Sequence, residues 1–335
     1  MERKLASIRV IKDIAPIENA DSIEVANVDG WHCVVKKGEF HVGEHVIYCE
    51  VDSVMPHTDP RFEWLRPRGF RIKTIKLRGQ VSQGLLLPIS YLNLGRGEVY
   101  YVGQDVTERL GIVKYEPPIP ASLRGTVKGN FPTNLLSKSD EERVQNLQDL
   151  LTKYKGVKVS YTEKLDGSSL TCIYHDGEFR VCSRNLELLE TEDNAYWKAA
   201  RLENVEEKLK TVGKNIAVQG ELIGFGVRGN KYALKTLEYW IFNVVDTDTR
   251  RYYSNTEVAE FCKIYNFKCV PYLGEFDLVD DIDTIIEMAK GNSKLNPKVN
   301  REGIVIRPVD PIQDPDFGLV SFKAINPNFL LKYDE

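Results

Sequence analysis

The most restrictive feature of the sequence is a proline-rich stretch that divides the chain into two unequal parts. Pro117, Pro118 and Pro120 stand close together, and Pro132 ends the stretch. Such clusters punctuate a chain, because proline cannot continue a helix or donate a hydrogen bond inside a sheet. The stretch therefore predicts a connector at residues 116–132, between a first domain at residues 1–115 and a second at residues 133–335.

The first domain shows short strand patterns with turns and no helical pattern. Residues 22–40 alternate on both sides of a turn at Asp29–Gly30, and residues 43–56 hold a further strand that Pro56 closes. Two more strand-like stretches follow at residues 83–92 and 98–106. Short strands separated by glycine turns are typical of a small β-barrel.

The second domain mixes helix and strand patterns. A cap at Ser139, an acidic first turn and an apolar face that includes Val144 and Leu151 predict a helix at residues 139–154. Further helices are predicted at residues 192–211, 255–265 and 281–290, and strands at residues 157–164, 169–174, 178–183, 216–223, 239–245, 303–307 and 319–324. This order predicts a mainly antiparallel α+β domain.

Net charge restricts where the chain could bind nucleic acid. The 335 residues carry a formal net charge of −4, so any such affinity must come from a local basic surface. Residues 61–80 supply one, because cations there alternate with Phe62, Trp64 and Phe70. Cations contact phosphates and aromatic side chains stack on bases. The predicted RNA-binding residues are Arg66, Arg68, Arg71, Lys73 and Lys76.

Cysteine usage and the absence of long apolar runs bear on the compartment. The six cysteines are scattered and form no CxxC pair, and no stretch resembles a secretion signal or a membrane span. We therefore expect an intracellular, reducing compartment, the cytoplasm or the nucleus, and no membrane partner.

A candidate nucleophile stands in the segment Glu163-Lys164-Leu165-Asp166-Gly167. Side chains alternate along a strand, so Lys164 and Asp166 share one face and Glu163 and Leu165 the other. Gly167 permits a turn or the close approach of a ligand. Alone, this pattern also fits a surface lysine beside a β-turn, and other segments must decide.

Further polar residues interrupt apolar strands later in the chain. Arg184 and Asn185 end one strand, Glu221 follows a second, Glu302 precedes a third, and Lys323 lies inside a fourth. Together they predict a polar cleft on one side of a sheet. No His/Cys metal set, Ser–His pair or P-loop is present, so the cleft fits a nucleotide with hydrated Mg²⁺ held by carboxylates. Lysine is then the plausible nucleophile, once its amine is neutral.

The order of these segments resembles that of the covalent nucleotidyltransferases, and specifically of ATP-dependent RNA ligases. The matching segments are Lys164-Leu165-Asp166-Gly167, Ser183-Arg184-Asn185, Gly220-Glu221-Leu222, Trp240-Ile241-Phe242-Asn243, Glu302-Gly303-Ile304-Val305 and Phe322-Lys323. The first domain resembles the OB domain that precedes the ligase domain in one group of RNA ligases. The resemblance implies an α+β fold, with an N-terminal OB-type β-barrel followed by a mainly antiparallel adenylyltransferase domain.

The resemblance also implies a reaction. Lys164 would attack the α-phosphorus of ATP and form lysyl-AMP, and AMP would pass to an RNA 5′-phosphate before a 3′-OH displaces it. Lys323 would clamp the α-phosphate, Asp166 would help to order the lysine, and Glu302 and Asp166 would hold waters of Mg²⁺ or Mn²⁺. The expected partner is RNA with 3′-OH and 5′-phosphate ends, at nicks in a duplex, and the expected enzyme is a monomer.

The nucleotide-binding residues implied by the resemblance are Glu163 and Leu165 at the adenine edge, Phe242 on the adenine face, Glu221 at the ribose, and Arg143 and Arg184 at the phosphates, with Asn185 beside Arg184. Tyr239 and Trp240 compete with Phe242 for the stacking role, and strand alternation places Trp240 on the same face as Phe242. Family members often carry a second lysine two residues from the one in the last segment. Ser321 and Ile325 stand there instead, so the second cation is absent or supplied elsewhere, for example by Lys332.

Two other functions stay open at this stage. DNA ligases and mRNA capping enzymes share the lysyl-nucleotide chemistry, but their OB domain follows the ligase domain, and only 12 residues follow Lys323 in this sequence. A non-catalytic OB protein that binds RNA would explain the basic stretch. It would not explain why nearly all the charged residues of the cleft are retained.

Overall fold

The computed structural model describes residues 4–115 and 126–333, and these residues form two compact units. The first unit takes its residues from Met1–Pro117, Gln145–Gln148 and Pro327–Glu335, and the second from Pro118–Val144 and Asp149–Asn326. Two short segments from later in the chain thus belong to the first unit. Of the predicted connector, residues 116–125 lie outside the described residues, whereas Val127–Asn130 forms a strand.

The first unit is built on an antiparallel sheet of five strands in the order β3-β2-β1-β4-β8. Its strands are β1 (Ala6–Pro16), β2 (Ile23–Val28), β3 (Trp31–Lys36), β4 (His45–Cys49), β5 (Ser53–Val54), β6 (Ile75–Leu77), β7 (Gln80–Ser82), β8 (Leu85–Pro88) and β9 (Val113–Lys114). Strand β5 pairs with β9, and β6 with β7. Two 3-10 helices, Pro60–Arg68 and Ile89–Leu92, lie between strands. Along β3 the buried side chains of Trp31, Cys33 and Val35 alternate with more exposed ones, as expected of a strand with one face on the core.

A polar network inside the first unit includes a residue from the segment Gln145–Gln148. Trp31 stacks on Tyr48 with ring centroids 5.5 Å apart, and its indole Nε1 donates to Asn146 Oδ1 at 2.7 Å. Asn146 Nδ2 in turn donates to the buried carboxylate of Glu50 at 2.9 Å. Buried polar groups need such partners, so Asn146 completes the interior of the first unit.

The second unit contains two main sheets, one of eight strands and one of five. Its strands are β10 (Val127–Asn130), β11 (Glu142–Arg143), β12 (Lys158–Lys164), β13 (Ser168–His175), β14 (Glu178–Cys182), β15 (Leu186–Leu188), β16 (Ile216–Gly224), β17 (Leu237–Asp246), β18 (Arg251–Tyr252), β19 (Lys268–Cys269), β20 (Tyr272–Asp277), β21 (Gly303–Pro308), β22 (Gln313–Asp314), β23 (Gly318–Leu319) and β24 (Phe322–Ile325). One sheet has the order β10-β15-β14-β13-β16-β17-β18, with β19 beside β17, and the other β11-β24-β21-β12-β20.

The helices are α1 (Gln148–Lys153), α2 (Ala195–Leu202), α3 (Val205–Thr211), α4 (Asn255–Ile264), α5 (Ile282–Ala289) and α6 (Pro327–Tyr333). Short 3-10 turns lie at Val144–Asn146 and Arg228–Asn230. The predicted α+β class, with mainly antiparallel pairing, is confirmed; among the named strands of the second unit, β11–β24 and β17–β19 pair in parallel. Within the described ranges, no helix is both long enough and apolar enough to cross a membrane.

The prediction of one helix over residues 139–154 is wrong. Ser139 does not cap a helix, because its hydroxyl forms a 2.9 Å hydrogen bond with the Ser169 hydroxyl. Arg143 lies on β11. Only Gln148–Lys153 is α-helical. The apolar residues do face the core, but pairing with a distant strand overrides the local helical pattern.

The prediction of a single helix at residues 192–211 is also corrected. Asn194 caps α2 by accepting hydrogen bonds from the backbone of Tyr196 and Trp197. The helical conformation is then interrupted between α2 and α3 at Asn204, which has φ 52° and ψ 41°. Asparagine tolerates this left-handed conformation better than most residues, so the break needs neither glycine nor proline.

Candidate active site

Lys164 ends β12, and the neighbouring strand β21 begins opposite it. Lys164 and Gly303 are cross-strand partners, which brings Glu302 beside the lysine. Lys164 Nζ lies 2.7 Å from Glu302 Oε1, with the two side chains 27% and 16% exposed. A Cβ at Gly303 would come within 2.2 Å of the Ala324 carbonyl oxygen, so close strand packing requires glycine there.

The turn after Lys164 is held by residues from the segment that follows β16. The Asp166 N–H donates to the Tyr232 hydroxyl at 2.7 Å, and the Asp166 carboxylate pairs with the Lys231 ammonium. At Gly167 a Cβ would lie 2.3 Å from the Leu222 carbonyl oxygen. No sequence pattern indicated a role for Lys231 or Tyr232.

Lys323 lies on β24, between β11 and β21. Its cross-strand partners are Arg143 on the parallel strand β11 and Val305 on the antiparallel strand β21. Arg143 is buried and extended, and its expected position on a helix is corrected. Two of the expected phosphate-binding cations therefore sit at one register of adjacent strands.

The electrostatic state of Lys164 follows from its surroundings. Burial lowers the pKa of the Lys164 ammonium, but the negative charges of Glu302, Glu221 and Asp166 outweigh burial and hold its pKa above the usual value. Burial raises the pKa of Glu302, while the positive charges of Lys164 and Lys323 oppose that rise. In the absence of nucleotide, Lys164 is therefore protonated at neutral pH and must lose a proton before it can act as a nucleophile.

Glu163 faces away from Lys164 and is 1% exposed. Its Oε2 accepts the Lys294 N–H at 2.8 Å, whereas its Oε1 is buried and has no hydrogen-bond partner among the residues that the structure describes. Burial raises the pKa of this carboxyl, against the opposing effects of Ser293, Lys294 and Arg301. An unpartnered buried acceptor is costly and is suited to a ligand donor.

Leu165 is an apolar core residue, 2% exposed, that packs with Ile223, Tyr232 and Val270. Trp240 and Phe242 pack partly buried against the same cluster. Phe242 faces no residue of β16, because the register shifts by one residue between Gln219–Asn243 and Gly220–Ile241. A bulge of this kind re-aims a side chain. Both aromatic residues stay candidates for stacking.

The remaining expected nucleotide contacts are spread along the sheet that contains β13. Arg184 Nε donates to Asp140 Oδ2 at 3.2 Å, and the Asn185 amide oxygen accepts from Lys138 at 3.0 Å. Glu221 lies between Ser169 and Trp240 across the sheet. Its charge acts on Lys164, whereas no described contact links Arg184 or Asn185 to the lysine.

Ser321, Ile325 and Lys332 are the residues that bear on the expected second cation. Ser321 is buried and hydrogen-bonded to Arg307, and Ile325 is a core residue. Lys332 lies on α6 of the first unit, with its ammonium 4.9 Å from the Tyr333 ring centroid.

Carboxylates near Lys164 offer a limited ligand set for a metal. In the described parts of the chain, no group of three or more His, Cys, Asp or Glu side chains is placed to hold an ion. Glu302 Oε2 is buried without a hydrogen-bond partner, and Glu302 and Asp166 act electrostatically on one another. Two carboxylates fit Mg²⁺ or Mn²⁺ that keeps waters and is completed by phosphates.

The basic stretch of the first unit is only partly available at the surface. Arg66, Arg68 and Lys76 are exposed, and Lys73 is half-buried. Arg71 is 8% exposed, pairs with Asp52 at 2.7 Å and stacks on the Tyr115 ring. Of the three interleaved aromatics only Trp64 is exposed, at 55%. The expected role of Arg71 in binding RNA is therefore replaced by a structural one.

Comparison with known proteins gives matches along nearly the whole chain. A family model of an OB-fold domain matches residues 5–89, and a family model of RNA ligase matches residues 157–325. The OB-type barrel predicted for the N-terminal part is thereby confirmed. No protein in a search of curated sequences matches the chain.

Solved structures of a Naegleria gruberi RNA ligase are similar throughout. A lysine-to-alanine mutant with ATP and Mn is 41% identical, with 99% of each chain covered and a TM-score of 0.89. The ligase with PPi is 42% identical, again with 99% of each chain covered and a TM-score of 0.89. A lysine-to-methionine mutant with AMP and Mn is 41% identical over 99% of each chain, with a TM-score of 0.90.

Proposed function

This chain belongs to the RNA ligase family and is an ATP-dependent ligase, and we propose that it joins RNA 3′-OH and 5′-phosphate ends through AMP bound to Lys164. The observation that carries the proposal is the 2.7 Å contact between Lys164 Nζ and Glu302 Oε1. Glu221 and Asp166 also act electrostatically on Lys164, and Lys323 acts on Glu302. This mix of carboxylates and cations supports a role in phosphate chemistry.

The first step forms a phosphoramidate. Once Lys164 has given up one proton to solvent, its Nζ attacks the α-phosphorus of ATP, and the nitrogen loses a second proton to solvent as the phosphoramidate forms. An N–P bond forms, the bond between the α-phosphorus and the bridging oxygen breaks, and pyrophosphate leaves with the bonding electrons. Lys323 and Arg143, adjacent on β24 and β11, would face the negative charge that develops on the phosphates.

The next two steps use RNA. An oxygen of the RNA 5′-phosphate attacks the phosphorus of lysyl-AMP, and the N–P bond breaks as Lys164 regains a proton. The 3′-OH then attacks the 5′-phosphate, loses its proton and displaces AMP. Glu302 and Asp166 would hold Mg²⁺ or Mn²⁺ through waters, and the ion would neutralise phosphate charge.

Adenine recognition would use the opposite face of β12. Glu163 Oε1 is a buried acceptor without a partner, which suits the amino group of adenine. Phe242, at the bulge of β17, is placed against the same apolar cluster as Leu165 and would stack on the base.

We further propose that the substrate is a nick in duplex RNA bound by a monomer. Arg66, Arg68, Lys73 and Lys76 offer cations on the first unit, and Trp64 adds an exposed ring. Cations contact phosphates, and a nick in a duplex presents two backbones to them.

The proposed chemistry is tested by the mass of the intact protein after incubation with ATP and Mg²⁺. The wild type should gain the mass of AMP less one water, and Lys164→Ala should gain nothing. Lys155→Ala is a matched control, because Lys155 also pairs with a carboxylate, at 2.9 Å from Asp280, but is exposed. Adduct formation in Lys164→Ala would refute the assignment of the nucleophile.

Substrate choice is tested separately with pre-adenylated ends. Lys164→Ala should retain some sealing of a pre-adenylated nicked RNA duplex, since that step needs no lysine nucleophile. The wild type should seal a nicked RNA duplex faster than single strands. Faster sealing of nicked DNA would favour a DNA ligase instead.

A further inference from the structure

A buried arginine connects three segments of the second unit. Arg307 lies on β21, five residues after Glu302, and is 8% exposed. Its Nη1 donates to the Phe242 carbonyl oxygen at 3.1 Å, and its Nε donates to Ser321 Oγ at 2.8 Å. Its Nη2 donates to Glu141 Oε1 at 3.0 Å. Each nitrogen of the guanidinium therefore bonds to a different part of the chain.

The three acceptors have in common that each lies at or beside a proposed nucleotide-binding residue. Phe242 is the candidate for stacking on adenine. Ser321 stands two residues before Lys323, and Glu141 stands two residues before Arg143. The network is closed, because Ser321 Oγ donates to Glu141 Oε1 at 2.7 Å.

We propose that Arg307 is a positioning residue that sets the separation between the adenine-binding and the phosphate-binding parts of the cleft; this inference rests on the proposed function. Arginine suits the task, because a guanidinium is planar and presents its N–H groups at fixed angles. A lysine ammonium is a point charge on a flexible stem and cannot hold the same three acceptors in one plane.

The structure also indicates why the link is rigid. The side chains of Arg307 and Glu141, taken without their backbone atoms, are 10% and 17% exposed, so an unpaired charge at either position would be costly. Arg307 is hydrogen-bonded to the residues that precede both strands with proposed phosphate-binding cations. Ser321 precedes β24, and Glu141 precedes β11. Phe242 is fastened through its backbone, so its side chain stays available to a base.

A positioning role makes a specific prediction about ligand fragments. Adenosine occupies only one part of the cleft and pyrophosphate only the other, so each fragment is insensitive to their separation. ATP occupies both parts, and a misplacement of about 1 Å can slow a reaction about 100-fold. Loss of the hydrogen bonds of Arg307 should therefore weaken the binding of ATP far more than the binding of adenosine or pyrophosphate.

The experiment measures binding of adenosine, pyrophosphate and ATP by calorimetry, and the single-turnover rate of lysyl-AMP formation, for wild type, Arg307→Lys and Glu141→Gln. We expect both variants to bind each fragment within about twofold of wild type, to bind ATP about 10-fold more weakly and to form lysyl-AMP about 100-fold more slowly. Arg201→Lys is the matched control, because Arg201 pairs with Glu190 at 2.7 Å on the exposed side of α2.

The double variant Arg307→Lys/Glu141→Gln should lose little more than either single variant, because both changes break the same link. Additive losses would overturn the proposal. Equal weakening of all three ligands together with a lower Tm would do the same, since it indicates a general structural role. Normal lysyl-AMP formation by Arg307→Lys would refute this inference alone, whereas its absence from the wild type would refute the proposed function.

Discussion

Lys164 Nζ and Glu302 Oε1 form a 2.7 Å ion pair between the end of β12 and the residue that precedes β21. The pair holds the proposed nucleophile in its protonated form, because the pKa of Lys164 lies above its usual value once nearby carboxylates outweigh burial. The arrival of phosphates and a cation must rearrange this contact before attack can occur.

The rate of AMP transfer to Lys164 should rise with pH. Only the neutral amine attacks, and each pH unit below the pKa reduces the neutral fraction about tenfold. Because kcat/KM for ATP reports ionisations of the free enzyme, its logarithm should increase across the neutral range with no acidic optimum. Glu221→Gln removes one of the charges that raise the pKa, so its profile should shift to lower pH. A profile that is flat from pH 6 to 9, or unmoved in the variant, would contradict this account.

The same pKa shift has a consequence for stability. A lysine whose folded pKa is raised stabilises the fold at all pH values below its unfolded pKa. This contribution is lost as the pH rises through the raised value. Lys164→Met, which lacks the charge, should therefore show a smaller loss of Tm between neutral and strongly alkaline pH than the wild type.

Glu163→Gln should relax the choice of nucleotide. The unpartnered Oε1 accepts from an amino group but repels the carbonyl oxygen that guanine carries at the same place. A glutamine amide can rotate and donate, so the preference for ATP over GTP in lysyl-nucleotide formation should fall at least about tenfold. Mass spectrometry with each nucleotide measures this ratio, and an unchanged ratio would remove Glu163 from base recognition.

The Tm of Glu163→Gln serves as a control that shows whether this variant still folds. The pKa of Glu163 is raised, so the charged carboxylate lowers the free energy of unfolding above that pKa. A neutral glutamine of the same size removes this cost, and Tm at neutral pH should not fall. A large drop in Tm would mean that lost activity reflects unfolding.

Gly167→Ala should destabilise the protein and impair AMP transfer. A Cβ there would meet the Leu222 carbonyl oxygen at 2.3 Å and Ile223 Cγ2 at 2.6 Å, so the turn that carries Asp166 must move. Overpacking of this kind costs about 1–3 kcal/mol of unfolding free energy. Gly129→Ala is the control, because in the described parts of the chain no atom beyond its sequence neighbours lies within 4 Å of its added Cβ. Chemical denaturation that ranks the two variants equally would contradict the model of a tightly packed turn.

Arg68→Ala and Arg71→Ala should separate RNA binding from stability. Arg68 is exposed, and its loss should weaken binding of nicked RNA and reduce the slope of log K against log salt by about 1. Arg71 is buried against Asp52 and Tyr115, so its loss should mainly lower the free energy of unfolding, by about 3–5 kcal/mol. Titrations at several salt concentrations, together with urea unfolding, distinguish the two effects.

Local patterns predicted six strands of the second unit to within two residues, namely β12, β13, β14, β16, β17 and β21, because each is an apolar run bounded by turn residues. They did not predict β11, β15 or β20, and the strand predicted at residues 319–324 is divided between β23 and β24. The helix predicted at residues 139–154 was wrong. Val144 and Leu151 are buried there as the pattern requires, but most of this segment is not helical. Helical spacing of apolar residues reports which residues are buried. It cannot report that Arg143 pairs with a strand near residue 323.

Some residues of the candidate site could be predicted from local patterns, and others could not. Lys164 and Glu302 were predictable because each belongs to a recognisable segment beside an apolar strand. Lys231, which pairs with Asp166, and Arg307, which pairs with Glu141, were not predicted as site residues. Their partners lie 65 and 166 residues away in sequence, and no local pattern records such a contact.

The inclusion of Asn146 in the first unit has a consequence for the order of events during protein synthesis. The hydrogen bonds that join Trp31, Asn146 and Glu50 cannot form while the ribosome has produced only the strands β1–β9. Helix α6, which belongs to the same unit, is synthesised later still. The first unit to emerge is thus the last to be completed, because its final helix is translated only after the second unit.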